Sequence, residues 1–346
     1  MDCKDFFEMS SQDLDATWEQ RPEYIRRFYE SLESNKSLCK EVEYILSAKI
    51  VKEDIEVAHI TSRAKTLESF CEKINRKLYD NPFDDVTDLA GVRIVFLYAA
   101  DRPKIESVIE REFQVVERFD KNISDDDKFG YGALHYLVKM KNKHAGARYD
   151  DLKNKICEIQ VRTILQDAWA VVAHHLSYKQ ESDVPKTIRR KLNALSGLFE
   201  TADDQFENIR IARHLYQAEL KDSIQGGKKL SKTEEVNIDD LQAYLESRFP
   251  EREHRGADGM SKLLYELKKH GFSTLSDIDK MLDASIDAVL AKEKKYPPTQ
   301  GSENVRYTTV GMVRVALSFM SDEYLNERSK VSKDMVYEFK RLIKKP

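Results

Sequence analysis

The chain is short of the features that would assign it quickly. Twelve glycines and eight prolines are spread through 346 residues. No glycine-rich loop ending in Lys–Ser/Thr is present, and no dinucleotide fingerprint, so neither common nucleotide-binding turn applies. Four cysteines (Cys3, Cys39, Cys71, Cys157) lack the paired spacing of a zinc site or a disulfide framework and read as reduced, structural residues. His174 and His175 have no partner at metal-ligand spacing. Apolar runs long enough to span a bilayer, about 18 residues, are missing. The opening "MDCKDFFEMSSQDLD" carries no apolar signal region. The expectation is a cytoplasmic protein with no membrane contact. Excess charge is absent too. With 57 basic and 61 acidic residues the net charge is −4, which gives no global attraction to nucleic acid, and no DNA partner is expected.

What is there is a chain 41% hydrophobic and 34% charged, able to bury a core under a charged surface. Residues 1–50 read as N-terminal helices, with Tyr24, Phe28 and Leu32 at spacing four. Within 51–182, β-branched and aromatic runs at 55–63, 91–99, 114–120, 133–140 and 155–163 read as strands, and 66–79 and 101–113 as helices. This predicts an α+β core, a mixed sheet of about five strands flanked by helices. Over 183–222 the apolar positions Leu192, Leu195, Phe199, Ala202, Phe206, Ile209, Tyr216 and Leu220 follow heptad-like steps. They predict one long helix whose stripe either packs on its own domain or forms a homo-oligomer seam. Residues 223–236 have linker composition. Residues 237–346 read as an all-helical C-terminal unit. In it "SKLLYELKKHGFSTLSDIDKML" forms two helices joined through Gly271, more often a packed hairpin than a DNA reader.

Four clusters carry chemistry. In "CEIQVRT" the strand period places Glu158, Gln160 and Arg162 on one face, with Cys157, Ile159 and Val161 on the other. Such a row is either merely solvated or a site. "VTDLAGVRI" sets Asp88 before an apolar strand from which Arg93 projects. An aspartate there is often a turn residue, but paired with a glutamate on another strand it forms a Mg²⁺-phosphate holder. "TSRAKTLESFCEK" gathers Arg63, Lys65 and Lys73 at a helix entrance, either a solvated face or a phosphate clamp. "FGYGALH" presents Tyr131 on a glycine-flanked turn, a stacking surface for a base, with His135 behind it.

Taken together in chain order, the clusters resemble the synthetase domain of the RelA/SpoT family, over about residues 45–180. The resemblance implies a nucleotidyltransferase-like fold. It also implies transfer of the β,γ-pyrophosphate of ATP to the 3′-hydroxyl of a guanine nucleotide, giving (p)ppGpp. "RAKTLES…K" is similar to the family's R-x-K-x-x-x-S-x-x-x-K, implying ATP contacts for Arg63, Lys65, Ser69 and Lys73. "DLAGVRI" resembles D-x-x-G-x-R, implying Asp88 as Mg²⁺ ligand with Arg93 in support. "GYGALH" resembles G-Y-x-S-x-H, implying that Tyr131 and His135 bind the acceptor. "EIQVRT" matches E-[IV]-Q-[IV]-R-T. Glu158 is then the second metal ligand or the general base, while Gln160 and Arg162 contact the acceptor. "AWAVVAHHLSYK" resembles the following W-A-x-x-E-H-x-x-x-Y-K helix, with Trp169 and His174 supporting.

The chain departs from the family at Ala133, where Ser is usual, and at Ala173, where Glu is usual. The basic approach to the Gly–Tyr turn is replaced by acidic "FDKNISDDDKFGYG", which should repel a triphosphate acceptor. No hydrolase motif precedes the synthetase motifs, so a small single-function synthetase is expected. An alternative acceptor is the 3′ CCA end of tRNA, as in toxin-like relatives, with residues 237–346 acting as inhibitor or as sensor of a protein trigger. An inactive RelA/SpoT-like binding module is the third reading.

Overall fold

The computed structural model describes residues 13–120, 132–176, 185–225, 234–254, 257–298, 306–327 and 333–343. The chain divides into two units, Met1–Ile209 and Arg210–Pro346.

After a helical stretch over residues 13–20, the first unit continues with helix α1 (Pro22–Ile50), whose proline stands in the first turn, where its missing N–H costs nothing. Next come strand β1 (Val57–Ala64), helix α2 (Leu67–Lys77) and strand β2 (Ala90–Phe96). Helix α3 (Arg102–Glu112), strands β3 (Phe113–Asp120), β4 (Leu134–Met140) and β5 (Cys157–Thr163), and helix α4 (Ile164–Leu176) follow. All five expected strands are present. They form one sheet in the order β1-β2-β5-β4-β3. β2 and β5 pair in parallel, and the other neighbours are antiparallel. A parallel pair needs a long crossover, and α3, β3 and β4 lie between its two strands.

Alternation along each strand divides the two faces. Val92, Ile94, Leu134, Tyr136, Val138, Ile159 and Val161 share one core with Leu38, Val42 and Leu46 of α1 and Ile105 and Ile109 of α3. Two helices therefore close that face. The opposite face carries Arg93, His135, Glu158, Gln160 and Arg162, as the register requires. A smaller core joins Phe28 of α1 to Phe70, Cys71 and Ile74 of α2, which fixes α2 near the edge strand β1. The one phenol inside this core, that of Tyr136, has its partner. Buried Tyr136 donates to Glu106 Oε2 (2.7 Å), which also accepts from Arg118 Nη2 (2.9 Å). Burial and the Glu106 carboxylate push the Tyr136 phenol up to about 12.

Helix α5 (Lys186–Gln225) is the long helix. Within the first unit its buried edge is Leu192, Ser196 and Asp203, while Leu195 (44% exposed) and Ile209 (64%) face outward. The apolar stripe and the buried edge are thus rotated from each other.

In the second unit α6 (Ile238–Arg248), α7 (Ala257–Lys269), α8 (Leu275–Lys295), α9 (Thr309–Met320), α10 (Asp322–Glu327) and α11 (Lys333–Lys340) follow the end of α5. They share one core that includes Leu241, Leu263, Ile278, Val289 and Leu317. Reciprocal capping boxes start α6 (Asn237 with Asp240) and α8 (Thr274 with Asp277). Gly271, at φ 89°, turns the chain between α7 and α8. No described helix is long and apolar enough to cross a membrane.

Ile159, fully buried at the sheet centre, should be the more sensitive core position. Ile159→Ala is expected to cost about 2–5 kcal/mol, from lost burial plus the cavity left behind. Tyr136→Phe, which removes one hydrogen bond at nearly constant volume, should cost about 0.5–1.5 kcal/mol. Urea unfolding of the three proteins measures both, and equal losses would contradict the assigned packing.

Candidate functional site

Two adjacent strands present the site. Because β2 and β5 run parallel, Gly91 lies opposite Glu158, Arg93 opposite Gln160 and Val95 opposite Arg162. On the outer sides, β1 brings Arg63 opposite Gly91 and β4 brings His135 opposite Gln160. Opposed residues project from the same face, so four strands contribute to one polar surface. A cleft of about 330 Å³ opens there, lined by Arg63, Lys65, Ser69, Asp88, Arg93, Glu158 and Gln160.

β1 runs into α2 through a tight entrance. Thr66 caps the helix by accepting from the Ser69 N–H (3.3 Å). The Lys65 N–H donates to the Leu89 carbonyl (3.0 Å), tying this entrance to the segment that carries Asp88. Asp88 sits between two lysines: Lys65 Nζ donates to Oδ2 at 2.8 Å and Lys73 Nζ to Oδ1 at 3.0 Å. Burial alone would raise the Asp88 carboxyl. The two ammonium groups outweigh it and hold the group below its ordinary range.

Glu158 is held from the other side. His135 Nδ1 lies 2.8 Å from Oε1, and Gln160 Nε2 donates to Oε2 at 2.9 Å. Burial again raises this carboxyl, and the hydrogen bonds bring it below its usual value even against the nearby charge of Asp88. His135 is buried, and its Nε2 has no hydrogen-bond partner among the described residues.

The far end of the row is fixed by a residue absent from the expected set. Asp167, in the first turn of α4, accepts from Arg93 Nη1 (3.0 Å) and approaches Arg162 Nη1 (3.5 Å). Arg93 Nε also donates to Gln160 Oε1 (3.2 Å). Burial and the like charge of Arg93 depress the Arg162 guanidinium. The signal for Asp167 was its place in the first turn after the strand, where a carboxylate faces back toward the strand end. Thr163 and Gln166 make a reciprocal cap across the junction (2.9 and 3.1 Å). The Thr163 hydroxyl donates to Asp203 of α5 in a buried bond of 2.7 Å.

The structure thus gathers Arg63, Lys65, Ser69, Lys73, Asp88, Arg93, His135, Glu158, Gln160 and Arg162 on and beside one face. Trp169 stands apart, its ring 6.0 Å from that of Phe199 on α5. Tyr131 and the acidic segment before it lie outside the described residues, and only the helical backbone of His174 lies within them. The cysteines Cys39, Cys71 and Cys157 are free and buried.

Residues 62–183 match the family model described as the region found in RelA / SpoT proteins. The GTP pyrophosphokinase YjbM of Bacillus subtilis (strain 168) is 26% identical over 157 residues, 44% of this chain and 72% of that protein. The GTP pyrophosphokinase YwaC of the same organism is 28% identical over 164 residues, 44% of this chain and 74% of that protein. The solved structure of small alarmone synthetase 1 from Bacillus subtilis bound to its product pppGpp is 23% identical. It covers 54% of this chain and 97% of its own, at a TM-score of 0.45. The cleft residues from Arg63 to Gln160 fall inside the matched span, so the site lies within the part of the chain that matches the region found in RelA / SpoT proteins.

Proposed function

We propose that this domain is an ATP-dependent pyrophosphokinase that transfers the β,γ-pyrophosphate of ATP to the 3′-hydroxyl of a guanine nucleotide, making a (p)ppGpp-type alarmone. The observation that carries this reading is the single cleft in which two ionised carboxylates, Asp88 and Glu158, stand among Arg63, Lys65 and Arg93. Phosphoryl-type transfer asks a protein mainly for positioning and charge neutralisation. The resemblance to the two Bacillus GTP pyrophosphokinases supports the reaction class.

The donor set suits a divalent cation, which we take to be Mg²⁺. Asp88 and Glu158 line the same cleft and feel each other's charge. Among the described residues each of their oxygens has one hydrogen-bond partner, which leaves a lone pair for a cation. Bound there, the ion would draw negative charge from the phosphate oxygens of ATP.

The chain's own groups do the rest. Lys65 and Lys73 turn from Asp88 to phosphate oxygens when ATP enters, with Arg63 and Ser69 at the same entrance. Gln160, held by Arg93, faces the acceptor. Glu158, aimed by His135, accepts the proton of the 3′-hydroxyl as its oxygen bonds to the β-phosphorus. The bond between that phosphorus and the α–β bridging oxygen breaks, and AMP leaves. Arg162, steadied by Asp167, offsets charge at the strand's end.

A second reading keeps the chemistry and changes the acceptor to the 3′ end of tRNA. The run Asp125–Asp126–Asp127 before Tyr131 favours it, because three carboxylates repel a free triphosphate. We read the helices of 237–346, which have a core of their own, as a control element open to a protein trigger. The outward stripe of α5, Leu195, Leu198, Phe206 and Ile209, supports self-association along that helix. A cytoplasmic setting suits these substrates.

Incubation with γ-³²P-ATP, Mg²⁺ and either GDP or deacylated tRNA tests the reading. Label in a guanine nucleotide is expected, and label in tRNA alone selects the second acceptor. Asp88→Ala and Glu158→Ala should each lower transfer by at least about 10²–10³, with unchanged circular dichroism. Full activity in either variant would remove the site assignment.

The carboxylates also set a pH expectation. Both are held below their ordinary values, so both stay ionised as pH falls from 7 to about 5. Mn²⁺ affinity, followed by electron paramagnetic resonance, should be flat over that interval and fall only below the ordinary carboxylate range of about 4. A loss already complete at pH 5 would contradict the assigned ligands.

A further inference from the structure

Helix α5 buries the wrong residues for a helix held by apolar packing alone. Ser196 and Asp203 are inside, while Leu195, Leu198 and Ile209 are exposed. Burial by itself favours a rotation that hides the leucines and frees the carboxyl. Specific contacts must therefore set the rotation observed. Two of them join α5 to the junction of β5 and α4. The Trp169 ring of α4 lies 6.0 Å from that of Phe199. The Thr163 hydroxyl donates to Asp203 Oδ2 at 2.7 Å, with both side chains buried.

Thr163 ends β5 and starts α4. By the period of the strand its side chain points away from the site, on the face of Cys157, Ile159 and Val161. A hydroxyl has one hydrogen and two lone pairs. Here the hydrogen goes to Asp203, and the oxygen accepts from the Gln166 N–H at 3.1 Å. Gln166 Oε1 in turn accepts from the Thr163 N–H at 2.9 Å. Together they make a reciprocal Thr-x-x-Gln cap. Asp203 thus holds the hydroxyl in the orientation in which its oxygen caps the helix. Without that carboxyl the hydrogen must turn to another acceptor, and the cap loses its fixed geometry.

Asp167 follows the cap by one residue. It accepts from Arg93 Nη1 at 3.0 Å and approaches Arg162 Nη1 at 3.5 Å. Arg93 Nε donates to Gln160 Oε1 at 3.2 Å, and Gln160 Nε2 donates to Glu158 Oε2 at 2.9 Å. A path of direct contacts therefore leads from α5, through the first turn of α4, to the amide that faces the acceptor. Lys65 and Lys73, clamped on Asp88, stand outside that path.

We propose that Asp203 is a positioning residue for acceptor binding: by orienting the Thr163 hydroxyl it fixes the first turn of α4, and with it the hold of Asp167 on Arg93 and, through Arg93, on Gln160. The role rests on the pyrophosphokinase reading and adds to it a residue that touches no substrate.

The test uses the full chain with Asp203→Ala, Asp203→Asn, Thr163→Val, Asp167→Ala and the Asp203→Ala/Asp167→Ala double variant. Each is assayed with whichever of GDP or deacylated tRNA the wild type labels. Asp203→Ala and Thr163→Val should each raise the acceptor KM about tenfold, which corresponds to about 1.4 kcal/mol. Asp203→Asn keeps an oxygen that accepts from the hydroxyl, so its acceptor KM should stay within about twofold of wild type. The KM for ATP should not change in these three. In the Asp167→Ala background, adding Asp203→Ala should alter the acceptor KM by less than about twofold, because the path is already cut. A merely structural role would move both KM values together, or add its loss independently to that of Asp167→Ala. An unchanged acceptor KM, an equal rise for ATP, an Asp203→Asn variant as weak as Asp203→Ala, or independent losses in the double variant each overturns the proposal.

Hydrogen exchange gives a readout that needs no substrate. The Gln166 amide should exchange about tenfold faster in Asp203→Ala, with the Ile159 amide unchanged. Unchanged exchange at Gln166, or an equal gain at Ile159, overturns the role. If the wild type labels neither acceptor, the pyrophosphokinase reading falls and the acceptor role with it. Exchange at Gln166 then decides by itself whether Asp203 sets the start of α4.

Discussion

The parallel pairing of β2 with β5 is the constraint on which the site depends. It sets Arg93 beside Gln160 closely enough for a hydrogen bond of 3.2 Å, and it brings Glu158 into the same cleft as Asp88. A slip of one residue would turn Ile159 outward and bury Gln160. The register is protected from below, because Val92, Ile94, Ile159 and Val161 all fill the core under α1 and α3. Apolar packing on one face thus aligns polar chemistry on the other.

Half-buried charges persist on that face because each has partners. Asp88 has two lysines, Glu158 a histidine and an amide, and Arg93 and Arg162 share Asp167. Burial opposes the charges of Asp88 and Glu158, and their partners outweigh it. Removing a partner from a buried pair commonly costs about 3–5 kcal/mol, more than the pair itself contributes. Fold and site are therefore not independent in this domain.

Much of this arrangement could be read from the sequence. β-branched runs marked the five strands, and the two-residue period of "EIQVRT" placed Glu158, Gln160 and Arg162 together. What escaped depends on side chains meeting across distance. Nothing local tells that Asp167 bridges two arginines, one of them 74 positions away (167 − 93). The buried edge of α5 was hidden for a related reason. It includes Ser196 and Asp203, polar residues that no hydrophobic pattern selects, and Asp203 is inside because the Thr163 hydroxyl waits for it.

The clamp on Asp88 has a consequence for what the domain ignores. While both lysines are occupied by one carboxylate, a bare anion must compete with that carboxylate for every contact it makes. A ligand that brings its own cation meets a different situation, since the cation takes Asp88 and releases the lysines to the anion in the same exchange. The resting ion triad would therefore act as a filter for charge composition, passing a metal–polyphosphate complex and turning away free inorganic anions of the same shape.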